Sequence, residues 1–281
     1  MQRKVFLGEL IGTFLLVLFG TGSVAVSVLF GAHQGLFQIA IIWGIAVTLA
    51  IYAARHLSCA HFNPAVTIAM VVSGRMAPQK MKCYLVGQFA GAFLAGLAVY
   101  LIFSPSIAAF EAAEKIVRGA PESVAVAKMF GEYYIAEISM WSAIAAEAFG
   151  TFLLVLMIFF LTESCNVGKP DNNLVPLFIG LTVTSIICLI APLTQAGLNP
   201  ARDFGPRMVS WIFGWGEAAF PDSKGGFFWV YMLGPILGGI TAAIAFTKVI
   251  EPAMKIEAKD CHCEEKKSTK SNLTKKEFVN K

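Results

Sequence analysis

The sequence predicts an all-α membrane protein of six transmembrane helices and two re-entrant half-helices, arranged as an inverted repeat. Three observations predict it. Of the 281 residues 57% are hydrophobic types and only 14% are charged, against about a quarter charged in a soluble domain. The apolar runs match the length a helix needs to cross about 30 Å of hydrocarbon. Finally, one heptapeptide and one tripeptide each occur twice, at nearly the same offset.

The first span is expected over 5–29, where Glu9 is the only charged side chain between Val5 and Phe30. Met1-Gln2-Arg3-Lys4 before it could open a signal peptide. The apolar run is too long for one and offers no small-residue cleavage site, so it is expected to remain as a span. The second span, 36–54, carries no charge. Spans three to six are expected at 83–103, 139–162, 174–192 and 227–249.

Two apolar stretches, near Phe62–Ser73 and Pro200–Trp211, are too short to cross. They open on Asn63-Pro64-Ala65 and Asn199-Pro200-Ala201. Proline is favoured at the first helical position, where its missing N–H costs nothing. Both stretches therefore read as half-helices that enter the bilayer and stop.

Lysine and arginine gather at the N-terminus, at Arg75, Lys80 and Lys82, and after Glu251. The connection 104–138 holds five glutamates against three basic residues. The positive-inside bias puts both termini in the cytoplasm of a multi-pass protein of the cell membrane, with 104–138 outside. The expected organisation is one channel-like domain, 1–250, with halves at 5–103 and 139–249. A Lys-rich, disordered cytoplasmic tail, 251–281, follows, and it reads as plainly solvated.

Gly12-Thr13-Phe14-Leu15-Leu16-Val17-Leu18 recurs unchanged as Gly150-Thr151-Phe152-Leu153-Leu154-Val155-Leu156, an offset of 138 residues. Glu9 and Glu147 each stand three residues before a copy, and the two asparagines are offset by 136. Three spans per half is an odd number, so the second half must sit inverted. In that plan discontinuous helices meet near the midplane.

Non-helical backbone inside a bilayer is tolerated only where protein buries it or a water-filled cavity solvates it, so two re-entrant loops predict an aqueous path. Each half-helix points an N-terminal dipole, equivalent to about half a positive charge, at the centre, which disfavours cations and protons. Asn63 and Asn199 can cap their half-helices through the side-chain oxygen and present the amide to a passing hydroxyl or water. The carbonyls of Cys59, Ala60, His61, Phe62, Gly197 and Leu198 would supply a ladder of acceptors. Glu9 and Glu147 are costly at membrane depth, about 2.5–3.5 kcal/mol each. They read either as acceptors for the N–H groups of their own loops or as proton carriers of a coupled transporter; the symmetric placement favours the first.

The strings Ser58-Cys59-Ala60-His61-Phe62-Asn63-Pro64-Ala65-Val66-Thr67 and Asn199-Pro200-Ala201-Arg202-Asp203-Phe204-Gly205-Pro206-Arg207 resemble the aquaporin superfamily. Asp203 and Gly214-Trp215-Gly216 resemble its glycerol-conducting branch, the aquaglyceroporins, which includes the bacterial glycerol facilitators. The resemblance runs from about residue 5 to 250. It implies a pore through each subunit of a homotetramer, with an outer filter falling on Trp43, Ile187, Ala196 and Arg202. Arg202 would donate a fork of N–H groups to solute hydroxyls, and Trp43 would face the C–H side of a polyol. A water channel of this family would usually carry histidine at the Ile187 position. The bulk of Ile187 and Ala196 is the reverse of a bacterial facilitator's, and the filter set is more like that of the plant nodulin-26-like channels. Glycerol and water are the implied solutes, with urea, ammonia and metalloid acids as candidates; the alternative within the family is a water-selective pore. Cys59, where glycine is common, would make the pore sensitive to thiol reagents.

Other classes find less support. His33, His56, His61 and His262 scatter, and no nucleophile, P-loop or paired-carboxylate motif occurs, so no enzyme and no cofactor are expected. Cys261-His262-Cys263 lacks a fourth ligand, so no metal site is expected. The basic tail lacks aromatic interleaving, so no nucleic-acid partner is expected.

Overall fold

A computed structural model describes residues 2–220 and 226–256; of the tail expected to be disordered, 251–256 instead continue the last helix, and 257–281, with Cys261-His262-Cys263, lie outside the described residues. Among the described residues, six helices are long and apolar enough to span a membrane. They are α1 (Gln2–Phe30), α2 (Leu36–Ala54), α4 (Met81–Ala113), α6 (Met140–Thr162), α7 (Val175–Thr194) and a last helical segment, Phe228–Ile256, centred on α9 (Gly234–Ala245). The half-helices are α3 (Pro64–Val72) and α8 (Pro200–Ser210), and a single turn, α5 (Val124–Ala127), sits in the long connection.

Two expected ends move. The third span runs to Ala113, ten residues beyond 103 and through Pro105. Hydropathy ends it early, but Ile107 is buried with Val99, Val126, Phe130 and Trp215. Glu111 takes a forked pair from Arg118 (Nη2–Oε2 2.6 Å). Packing thus carries the helix past a proline that costs one backbone bond. The last span runs to Ile256 and not 249, with π-helical turns on either side of α9.

Packing repeats between the halves. α1 lies on α2 and α4; α6 lies on α7 and on α9. The half-helices are exchanged, α3 against α9 and α8 against α4, while α2 and α7 cross between the halves. Without a hydrophobic force between helices in lipid, small residues let backbones approach. At the α2–α7 crossing a Cβ on Gly44 would stand 2.6 Å from the Gly180 carbonyl, and one on Gly180 2.2 Å from that of Gly44.

At one end of the bundle Arg75 reaches Glu163 (2.6 Å) and Glu251 (3.1 Å), and its guanidinium lies over Phe159 and Phe246. Burial alone would push the Glu163 carboxyl up. Arg75, the Cys165 N–H and the Ser164 hydroxyl outweigh it and hold Glu163 at about 2.

Candidate functional site: a lined cavity between two capped half-helices

Each loop that leads into a half-helix is held from behind by a carboxylate. Glu9, fully buried on α1, accepts from Ser58 Oγ (2.6 Å), the N–H groups of His61 (3.1 Å) and Phe62 (2.8 Å), and Gln88 Nε2 (2.8 Å). Glu147, fully buried on α6, accepts from Thr194 Oγ1 (2.6 Å) and the N–H groups of Gly197 (2.8 Å) and Leu198 (2.7 Å). Charge-assisted bonds of this kind are about twice as strong as neutral ones. They offset a backbone that side chains dislike: Ala60, Phe62, Ala196 and Leu198 all have φ between 51° and 63°, at about 1 kcal/mol or more each.

The repeated heptapeptide now has a physical reason. A Cβ on Gly12 would stand 2.0 Å from the Phe62 ring, and one on Gly150 2.7 Å from Leu198 Cδ2. Each glycine makes room for the side chain that precedes the asparagine of its own half. Carboxylate and glycine, three residues apart on one helix, form the seat of the loop.

The asparagines meet across the halves. Asn63 Oδ1 caps α3 on the Ala65 N–H (2.8 Å), and Asn199 Oδ1 caps α8 on those of Ala201 (3.1 Å) and Arg202 (3.2 Å). Asn63 Nδ2 donates to the Leu198 carbonyl (2.9 Å) and Asn199 Nδ2 to that of Phe62 (2.8 Å). An amide carries two N–H donors, so one on each asparagine is left for the cavity. Of the expected carbonyl ladder, Phe62 and Leu198 are thus already accepting. Pro64, Ala65, Pro200 and Ala201 are buried in the first turns of the half-helices.

A cavity of about 260 Å³ runs past both asparagines. Its lining includes Cys59, Ala60, His61, Phe62, Ala196, Gly197 and Leu198 from the two loops, and the aliphatic side chains of Leu16, Val47, Ile51, Leu154, Ile179 and Val183. Trp43, Ile187, Ala196 and Arg202, the four expected filter positions, also line the cavity. The Arg202 guanidinium lies 4.3 Å over the Trp43 ring. Trp43 in turn packs on Gly20, where a Cβ would stand 2.2 Å from the ring. Arg55 and Asn172 also line the cavity, and Arg55 Nη1 donates to the Asn172 carbonyl (3.2 Å).

Sequence reasoning missed Glu132, whose carboxylate pairs with Arg202. A buried ion pair on α8 holds it there: Arg207 forks onto Asp203 (3.0 and 2.8 Å) and donates to the Glu132 carbonyl (2.5 Å), while the Glu132 N–H donates to Asp203 Oδ1 (2.7 Å). The signal for the inner pair was present, an aspartate and an arginine four apart on a helix. None was present for Glu132, one of five glutamates in the connection.

Comparison with known proteins agrees with this architecture. Residues 1–246 match the family described as major intrinsic protein. The chain is 40% identical over 245 residues to a glycerol uptake facilitator of Pseudomonas aeruginosa, covering 87% of this chain and 88% of the other. It is 40% identical over 264 residues to that of Escherichia coli K12 (94% and 93%). It is 38% identical over 239 residues to a propanediol uptake facilitator of Salmonella typhimurium (85% and 90%). The X-ray structure of the aquaglyceroporin from Plasmodium falciparum superposes with a TM-score of 0.80 at 26% identity, covering 91% of this chain and all of that one. With six spans, two exchanged half-helices and this match over most of its length, the chain belongs to the major intrinsic protein family, a family of membrane channels.

Proposed function

We propose that the protein is a passive channel for glycerol and other small uncharged solutes, water and propanediol among them, that excludes ions and protons. One observation carries the reading: the lining of the cavity combines residues of both re-entrant loops, the two asparagines and Arg202 with aliphatic side chains. A polyol likewise combines hydroxyls with C–H groups, and this lining can meet both. Trp43, Ile187, Ala196 and Arg202 act as the filter in this reading, and Ile187 keeps it less polar than a histidine would. The relatives named for glycerol and propanediol uptake support the solute class.

Glu9 and Glu147 act as loop supports. Their oxygens are engaged by loop N–H groups and side chains, which leaves little for a coupling proton. The N- and C-termini face the cytoplasm, by the distribution of lysine and arginine. The two inverted halves are joined by an outer connection, and the subunits assemble as a homotetramer, by resemblance to the family.

Stopped-flow light scattering on proteoliposomes tests the reading under separate glycerol, urea and sucrose gradients. Fast glycerol entry without sucrose entry is expected. Arg202→Ala should lower discrimination between glycerol and urea by roughly tenfold, the worth of one charge-assisted hydrogen bond. Fast water flux without glycerol entry would instead make the protein a water-selective pore.

A further inference from the structure

Four charged side chains meet at the filter end of the cavity, and all are buried: Glu132 is 4% exposed, Arg202 5%, Asp203 0% and Arg207 1%. Asp203 and Arg207 balance each other in a forked pair. Among the described residues, Glu132 is the carboxylate that pairs directly with Arg202. Arg202 lines the cavity and Glu132 does not, so the carboxylate stands behind the guanidinium and a passing solute meets only the cation. The loop is fixed to hold it there. The Glu132 backbone is tied at both its N–H and its carbonyl to the Asp203–Arg207 pair, and the neighbouring Tyr133 N–H donates to Gln195 Oε1 (2.7 Å). A Cβ on Gly131 would stand 2.6 Å from the Arg207 guanidinium, so the chain there approaches as closely as glycine allows.

We propose that Glu132 is the positioning residue and counter-ion of Arg202, making the filter electrically neutral so that small anions are not retained there. The inference rests on the filter reading above. A buried guanidinium without a partner is an uncompensated charge in a region of low dielectric. It is also a rigid, weakly hydrated fork shaped for planar oxyanions. In a narrow passage such a group would hold nitrate or a small carboxylate and obstruct the solutes it is meant to orient. With Glu132 behind it, Arg202 keeps its donors on the cavity side but presents no net charge. The neutral polyol and the excluded anion are thereby separated by one residue of the connection, not by the four lining positions.

The experiment compares glycerol entry into proteoliposomes in potassium gluconate and in potassium nitrate at equal ionic strength, for the wild-type chain, Glu132→Gln and Glu132→Met. Both replacements keep the bulk behind Arg202, and both remove the charge. Wild-type rates should be the same in the two salts. In the variants nitrate should slow glycerol entry about threefold, the effect of an occupant present at about twice its Kd. Nitrate should also raise the melting temperature of the variants in detergent and leave the wild type unmoved, which reads anion binding without conduction. Variants that conduct equally in both salts, and gain no stability from nitrate, would overturn the inference. A purely structural role for Glu132 would lower the rates in both salts alike. A wild-type chain that passes no glycerol in either salt would instead overturn the function proposed above.

Discussion

Cys59 stands where the first loop meets the cavity, exposed and lining it. A mercurial bound there would occupy the path, so glycerol entry should fall in the wild type and remain near its untreated rate in Cys59→Ser. Equal inhibition of both, in paired stopped-flow traces, would assign the effect to another thiol such as Cys188, also exposed. Much of this site was legible at the level of single residues, because its parts repeat: Glu9 with Glu147, Gly12 with Gly150, Asn63 with Asn199. A repeated glutamate in an apolar run has to be satisfied, and only its own loop is near. Glu132 was not legible. Its partners Arg202, Asp203 and Arg207 lie about seventy residues away, and a glutamate in an acidic connection looks solvated until the fold buries it.

Among the elements, α2 begins and ends where the hydropathy places it. α4 does not, because Ile107 and Glu111 find partners that no local pattern encodes. The Arg75–Glu163–Glu251 cluster is a similar long-range tie, joining the turn after α3 to the ends of α6 and the last helix. Since the Glu163 carboxyl is held at about 2 against an ordinary 4.5, its ionised form is the one the fold favours. Its contribution is whole above about pH 4.5 and is lost as the pH falls towards 2. Glu163→Gln should therefore cost on the order of 2 kcal/mol at neutral pH, with the gap to wild type closing in acid. Melting curves in detergent from pH 7 to pH 2.5 read both; a gap that is the same at each pH would show that the pair contributes only packing.

For the molecule as a whole, the exchange of half-helices means that the cavity belongs to neither half. In the passive path proposed above, no ion gradient drives the solute. Glycerol entry should therefore rise in proportion to its gradient and be unchanged by a protonophore, measured as light-scattering rates at several concentrations. Saturation together with protonophore sensitivity would make Glu147 a proton carrier after all. The plan was legible here from the odd number of spans between copies of one heptapeptide. The close α2–α7 crossing was not, since Gly44 and Gly180 are ordinary glycines until two backbones need the same space.

The reciprocal asparagine bonds also set a timetable for synthesis. The carbonyl that Asn63 needs lies 135 residues further along the chain, a wait of roughly 7–27 s at about 5–20 residues per second. Over that interval the first loop cannot be locked by its partner, and Glu9, 49 to 53 residues from the loop groups it holds, is the support already made. The second loop emerges when its counterpart is waiting. Removing the two carboxylates should therefore be unequal in the cell although they are alike in the finished fold: Glu9→Gln should depress the yield of protease-resistant channel in a pulse-chase more than Glu147→Gln. Equal losses would mean that the first loop stays unformed until the whole chain is in the bilayer.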